Sequence, residues 1–154
     1  MKMLVCTDGS EHSGKALEKA ALLAECSNIG EVAVIHVNEN KLDLSSSTAW
    51  GGEGYTVTAE DIEYLKKQYE KQKEERRQLL MESLKVFEAK NIKARAILKE
   101  GHPAYTIVET AAEEGFDIIV TGSRGLGGLK KLVLGSVSNA IAQESKNCMV
   151  VIVK

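Results

Sequence analysis

The sequence has one proline, one tryptophan and three cysteines. Neither sign of charge is in excess, and no apolar run is long. Each scarcity excludes something. Cys6, Cys26 and Cys148 are too few and too scattered for a disulfide framework or a metal knuckle, and they read as small buried hydrophobes. Twenty lysines and arginines stand against 22 aspartates and glutamates, which leaves no general footprint for nucleic acid or an anionic membrane surface. Such a partner would need a local patch. No run approaches a membrane span, and "MKMLVCTDGS" carries no cleavage-like motif, so the expectation is a soluble, unprocessed, cytoplasmic protein. A flavin ring would want flanking aromatics, and the single Trp50 sits in a polar stretch rich in glycine and serine. At 154 residues the chain fits one domain, 1–154, long enough to bury a core.

What is present is an alternation of two periodicities. "KMLVCT" (Lys2 to Thr7), "EVAVIHV" (Glu31 to Val37), "IKARAILKE" (Ile92 to Glu100), "FDIIVTG" (Phe116 to Gly122) and "CMVVIVK" (Cys148 to Lys154) read as strands. Between them lie amphipathic helical patterns. Ala16, Leu17, Ala20, Ala21 and Ala24 share one face behind a capping Ser10. Pro103 suits a first helical position after a capping His102, and Gly115 suits an end. A long helix is predicted from Ala59 to about Lys90; its second half carries a stripe of Leu80, Leu84 and Phe87, whereas "KKQYEKQKEERR" before it reads as a solvated face. Residues 38 to 58 form a Gly- and Ser-rich connection, longer than compact domains usually hold, and are read as a flexible insertion. Apolar strands separated by helices imply an α/β fold: an open five-stranded parallel sheet with helices on both faces. In such sheets ligands sit beyond the carboxyl ends of the strands, where the strand order reverses.

Two stretches lie at such ends. "TDGSEHSGKA" (Thr7 to Ala16) supplies Gly9, Gly14 and Lys15 of a P-loop, but Ala16 stands where a hydroxyl should hold Mg²⁺. The best later apolar strand carries its aspartate at the wrong end for a metal ligand. The P-loop is therefore read as a coincidence, with Lys15 remote from any phosphate. Asp8 has two readings: an acceptor for ribose hydroxyls, or a group satisfying N–H groups where the helix starts. The second stretch is "GSRGLGGLKKLVLGSVSNAI", Gly122 to Ile141. Gly122, Gly125, Gly127, Gly128 and Gly135 allow positive φ and close backbone approach, Arg124, Lys130 and Lys131 add positive charge, and a helix begins near Ser136. An ordinary glycine-rich loop with Ser136 as a plain N-cap is the competing reading.

Gly122, two residues, Gly125, nine residues, then Gly135 and Ser136 match G-x₂-G-x₉-G-[S/T]. This resembles the ATP-binding signature of the universal stress protein family, and the likeness extends through "DGS", "IHV" and "GHPAYTIVETAAEEGFDIIVTGSRG". The resemblance implies a Rossmann-like fold of the adenine nucleotide alpha hydrolase type, with ATP as ligand and Mg²⁺ arriving on its phosphates. It implies that Asp8 contacts the ribose and that backbone at Val37 meets the adenine. Gly122, Gly125, Gly135 and Ser136 would surround the phosphates, followed by Val137 and Ser138, with Arg124 beside them. It also implies a homodimer through Met149 to Val153. Thr121, Met149 and Cys6 depart from common family residues, and Thr121 and Cys6 bear on how adenosine packs. No catalytic residue is expected, since His12, His36 and His102 form no catalytic arrangement, and hydrolysis would be slow at most. His36 is read as adenine-side wall or core. A protein partner is expected through the insertion and the long second helix; a flavodoxin-like FMN carrier and a ligand-free interaction protein of the same fold are the alternatives.

Overall fold

The computed structural model describes residues 1–39, 58–125 and 134–154. The insertion between Glu39 and Thr58, with Trp50, and the residues Gly127, Gly128, Lys130 and Lys131 therefore lie outside the described residues.

The five apolar segments are strands: β1 (Lys2–Cys6), β2 (Glu31–Asn38), β3 (Ala94–Glu100), β4 (Ile118–Gly122) and β5 (Met149–Val153). They alternate with α1 (Glu11–Cys26), α2 (Ala59–Glu88), α3 (Pro103–Glu114) and α4 (Ser136–Glu144). Local chemistry sets several boundaries. The Ser13 N–H donates to the Ser10 side chain at 3.2 Å, capping α1. Thr58 and Asp61 form a reciprocal capping box at the start of α2. Gly115 closes α3 in the left-handed conformation, φ 68°. His102 occupies the N-cap of α3 but makes no side-chain cap bond.

The strands form one parallel sheet in the order β3-β2-β1-β4-β5. α1 and α2 cover one face, where Met3, Val5, Val32 and Val34 meet Ala16, Leu17, Leu80, Leu84 and Phe87. α3 and α4 cover the other, where Leu4, Ala33, Ile35 and Ile119 meet Ile107, Ala111 and Ile141. Facing two helical layers explains why β1, β2 and β4 are buried almost throughout. The flanking strands β3 and β5 are less buried, and Met149 is 61% exposed. No helix among the described residues is long and apolar enough to cross a membrane.

α2 runs unbroken over 30 residues. Only its second half is anchored in the core, through Leu80, Ser83, Leu84 and Phe87. Gly14, expected near the start of α1, is within that helix, and Lys15 pairs with Glu11 at 2.7 Å on its exposed side. No P-loop is formed.

The cysteines correct the sequence expectation. Cys6 is buried, but Cys26 is exposed and Cys148 is partly so. Cys26 lies ten residues after Ala16, about 280° around the helix, and so projects from the face opposite the stripe of Ala16 to Ala24, which stays packed on the core. Burial, with the Asp8 carboxylate adding to it, pushes the Cys6 thiol up to about 12 and keeps it protonated. A thiol-specific reagent on the native protein should therefore modify Cys26 first and leave Cys6 untouched until denaturant is added. Peptide mass mapping over a labelling time course checks this, and early labelling of Cys6 would contradict the packing.

Candidate functional site

The chain leaves β1 toward β2 and later returns to place β4 on the other side of β1, so the order reverses between β1 and β4. The loops after these strands cannot be covered by the same crossover helix, and a crevice opens above them. It is a cavity of about 640 Å³, within the roughly 300–1,000 Å³ of small-molecule sites. Its lining includes Asp8, Val37, Gly122, Arg124, Gly125, Gly135, Ser136, Val137 and Ser138. All nine residues singled out in the sequence thus border one space, although Asp8 and Ser138 are 130 positions apart in the chain.

Asp8 fills the helix-entry role and also borders the cavity. Its Oδ1 accepts from the Ser10 N–H at 3.0 Å, which orders the turn into α1. Its Oδ2 lies 2.5 Å from where a Cβ on Gly125 would stand. One carboxylate oxygen is structural, and the other lies where the two loops converge.

Of the two reasons expected for the glycines, positive φ and close approach, the second is the one that holds at Gly122, Gly125 and Gly135. Gly9 has φ +80°, but Gly122, Gly125 and Gly135 are not in the left-handed region. What they need is room. A Cβ on Gly122 would lie 2.8 Å from the His12 carbonyl carbon and oxygen at the start of α1, and one on Gly135 would lie 3.3 Å from the Arg124 Cα. The Gly135 N–H donates to Ser123 O at 2.8 Å, and the Ser138 hydroxyl is bound to Gly135 O at 3.0 Å and Ser123 O at 3.2 Å. These bonds hold the end of β4 to the start of α4. The N-cap of α4 is Gly135, not Ser136, and no side chain caps it. Ser136 is exposed and Ser138 buried.

On β2, Val37 and Asn38 reach the cavity with His36. The His36 Nδ1 lies 2.8 Å from Thr7 O, and because a carbonyl only accepts, Nδ1 carries the proton. Burial lowers the His36 pKa below its ordinary 6.5; the Thr7 bond opposes this, the Arg76 charge adds to it, and Asp8 opposes it. The ring is neutral at neutral pH, with Nε2 as an acceptor.

α2 supplies Gln72, Glu75, Arg76 and Leu79 to the lining, which corrects the reading of its first half as a plain solvated face. A signal was present. Carried one and two turns toward the N-terminus, the buried stripe of Leu80, Ser83, Leu84 and Phe87 reaches Arg76 and Gln72. Above the sheet the same face meets the cavity instead of the core. Among the described residues no group of three or more His, Cys, Asp or Glu could hold a metal ion.

The profile of the universal stress protein family matches residues 1–154. The chain belongs to the universal stress protein family. Universal stress protein YxiE of Bacillus subtilis is 36% identical over 160 aligned positions, covering 99% of this chain and 98% of that protein. The solved structure of MJ0577 from Methanocaldococcus jannaschii superposes with a TM-score of 0.76 at 29% identity, covering 99% of this chain and 94% of that one. A universal stress protein from Archaeoglobus fulgidus, solved in complex with dAMP, shares the fold with a TM-score of 0.65 at 21% identity, covering 100% of this chain and 98% of that one. The Rossmann-like arrangement expected from the family is the one observed.

The neutral His36 has a consequence for stability. The unfolded chain takes up a proton near pH 6.5, while the folded protein resists doing so until lower pH. Stability contributed by this site is therefore fully present above that value and falls as pH drops below it. Urea denaturation between pH 7.5 and 5 should show falling stability, with a flatter profile in His36→Asn. Identical slopes in the two proteins would remove His36 from the linkage.

Proposed function

We propose that this universal stress protein is an ATP-binding regulatory module acting in the cytoplasm as one domain over 1–154. It holds nucleotide and turns it over slowly at most. The observation that carries this reading is the convergence of the nine residues above on one cavity at the strand-order reversal. The donor set suits a nucleotide. Val37 with Ile35, Pro103 and Ile107 offers an apolar wall for a base, and Asp8 offers a carboxylate to a ribose. Gly122 to Gly125 and the uncapped start of α4 offer bare backbone and N–H groups to phosphates, beside Arg124. Mg²⁺ would come with the phosphates and neutralise part of their charge. The dAMP held by the Archaeoglobus fulgidus protein supports an adenine nucleotide as the ligand class.

Calorimetric titration with Mg-ATP tests the site. Gly125→Val sets a branched side chain against the Asp8 carboxylate and should abolish measurable binding. Asp8→Asn keeps an oxygen for the Ser10 N–H and should cost about 1.5–3 kcal/mol, the scale of a hydrogen bond to a charged group. Lys15→Ala should leave affinity unchanged. Full affinity in Gly125→Val would place the ligand elsewhere.

The same reading includes a homodimer. β5 pairs with β4 on one side, and among the described residues no strand pairs with its other edge. An apolar edge of this kind invites a strand, and a second β5 across a two-fold axis would satisfy Met149 to Val153 in antiparallel pairing. The exposed first half of α2 is then left for protein partners. Light scattering should give twice the chain mass at micromolar concentration, and Val151→Pro should halve it by removing a ladder donor. A monomeric unmodified protein would refute the dimer.

A further inference from the structure

Arg76 is the cation that α2 brings to the cavity, where Glu39 and Glu75 are also lining residues. It lies on α2 three residues before Leu79 and four after Gln72, so one helix face sends all three into the lining. Leu79 seats this face on the β1–α1 turn, its Cδ1 3.3 Å from where a Cβ on Gly9 would be. Arg76 is half-buried, and so is its contact with Gln72. Its Nη1–H points to Gln72 Oε1 at 3.4 Å, a long contact to a neutral oxygen. Among the described residues it forms no ion pair, whereas the adjacent Arg77 reaches Glu74 at 3.9 Å. The field of Arg76 extends to His36 in the same lining. A cation drawn partly out of water without a carboxylate is stabilised by an anion that arrives with the ligand, and the planar guanidinium suits phosphate oxygens.

We propose that Arg76 reads the anionic part of the ligand, so that α2 forms a second charged wall, apart from the glycine loop, favouring a nucleoside polyphosphate over the bare nucleoside. This rests on the nucleotide reading of the same cavity. Gln72 orients the guanidinium, and Leu79 fixes the height of the helix above the β1–α1 turn.

The test is calorimetric titration of the unmodified protein, Arg76→Gln and Arg77→Gln, each with Mg-ATP and with adenosine. In Arg76→Gln the affinity for ATP should fall about tenfold, the loss of a charge-assisted contact. Adenosine affinity should stay within about twofold, which also shows that the variant is folded. Arg77→Gln should change neither. Equal weakening of ATP and adenosine would mean that Arg76 serves the base or the packing, and overturns the proposal. So would unchanged ATP affinity, or an equal loss in Arg77→Gln. An unmodified protein that binds adenosine as tightly as ATP reads no phosphate at all; this refutes the second wall while keeping a nucleoside site. Binding of neither ligand to the unmodified protein refutes the nucleotide reading and this inference with it.

Discussion

β1 is paired on both edges, with β2 and β4, and buried on both faces. Parallel strands are joined by crossovers, and here the chain leaves β1 toward β2 and β3 and then comes back to place β4 and β5 on the opposite side. The two loops flanking the carboxyl end of β1 then belong to crossovers on different faces. Between them the sheet has no roof. The cavity, the meeting of Asp8 with Gly125 and the start of α4 all lie at that reversal of strand order.

The loops can meet only because backbone approaches backbone without side chains between. Gly122 lies against the His12 carbonyl and Gly125 against the Asp8 carboxylate. Their value is the missing Cβ, not access to left-handed φ. The hydrogen bonds from Gly135 N–H to Ser123 O and from the Ser138 hydroxyl to Gly135 O then fix where α4 begins. Among the described residues, the end of β4 and the start of α4 are thus tied to each other directly.

Opposite demands meet in α2. Its second half is ordinary core, with Phe87 fully buried beneath the sheet. Its first half extends beyond the strand ends, where the inward face has no sheet to cover and lines the cavity instead. Polar residues are therefore tolerated on a face that would be apolar one turn later. Tyr69, whose hydroxyl donates to Glu100 at the end of β3, ties this extension to the sheet. Arg76 and the neutral His36 share the space beneath it, and the positive field of one disfavours charging the other.

Much of this was legible in the chain. The continuous apolar runs of β1, β2 and β4, the Ser10 cap, Pro103 at the start of α3 and Gly115 at its end are local signals, and each acted locally. The spacing from Gly122 to Ser136 was also legible, because a loop that must approach other backbone tolerates only certain residues at certain intervals. The exposure of Cys26 could have been read from the helical period, which puts it on the face opposite Ala16 to Ala24; the partial exposure of Cys148, just before the edge strand β5, was not legible. The role of Gln72 and Arg76 was not legible either. Periodicity assigns a residue to a helix face, but whether that face meets core, cavity or water depends on how far the helix overhangs the strands. Sequence by itself determined the elements, their order and the glycine-spaced loop, because these rest on contacts a few residues apart. Only the tertiary structure decided that Asp8 faces Gly125 and that α2 closes over His36, because packing brings together groups that the chain keeps far apart.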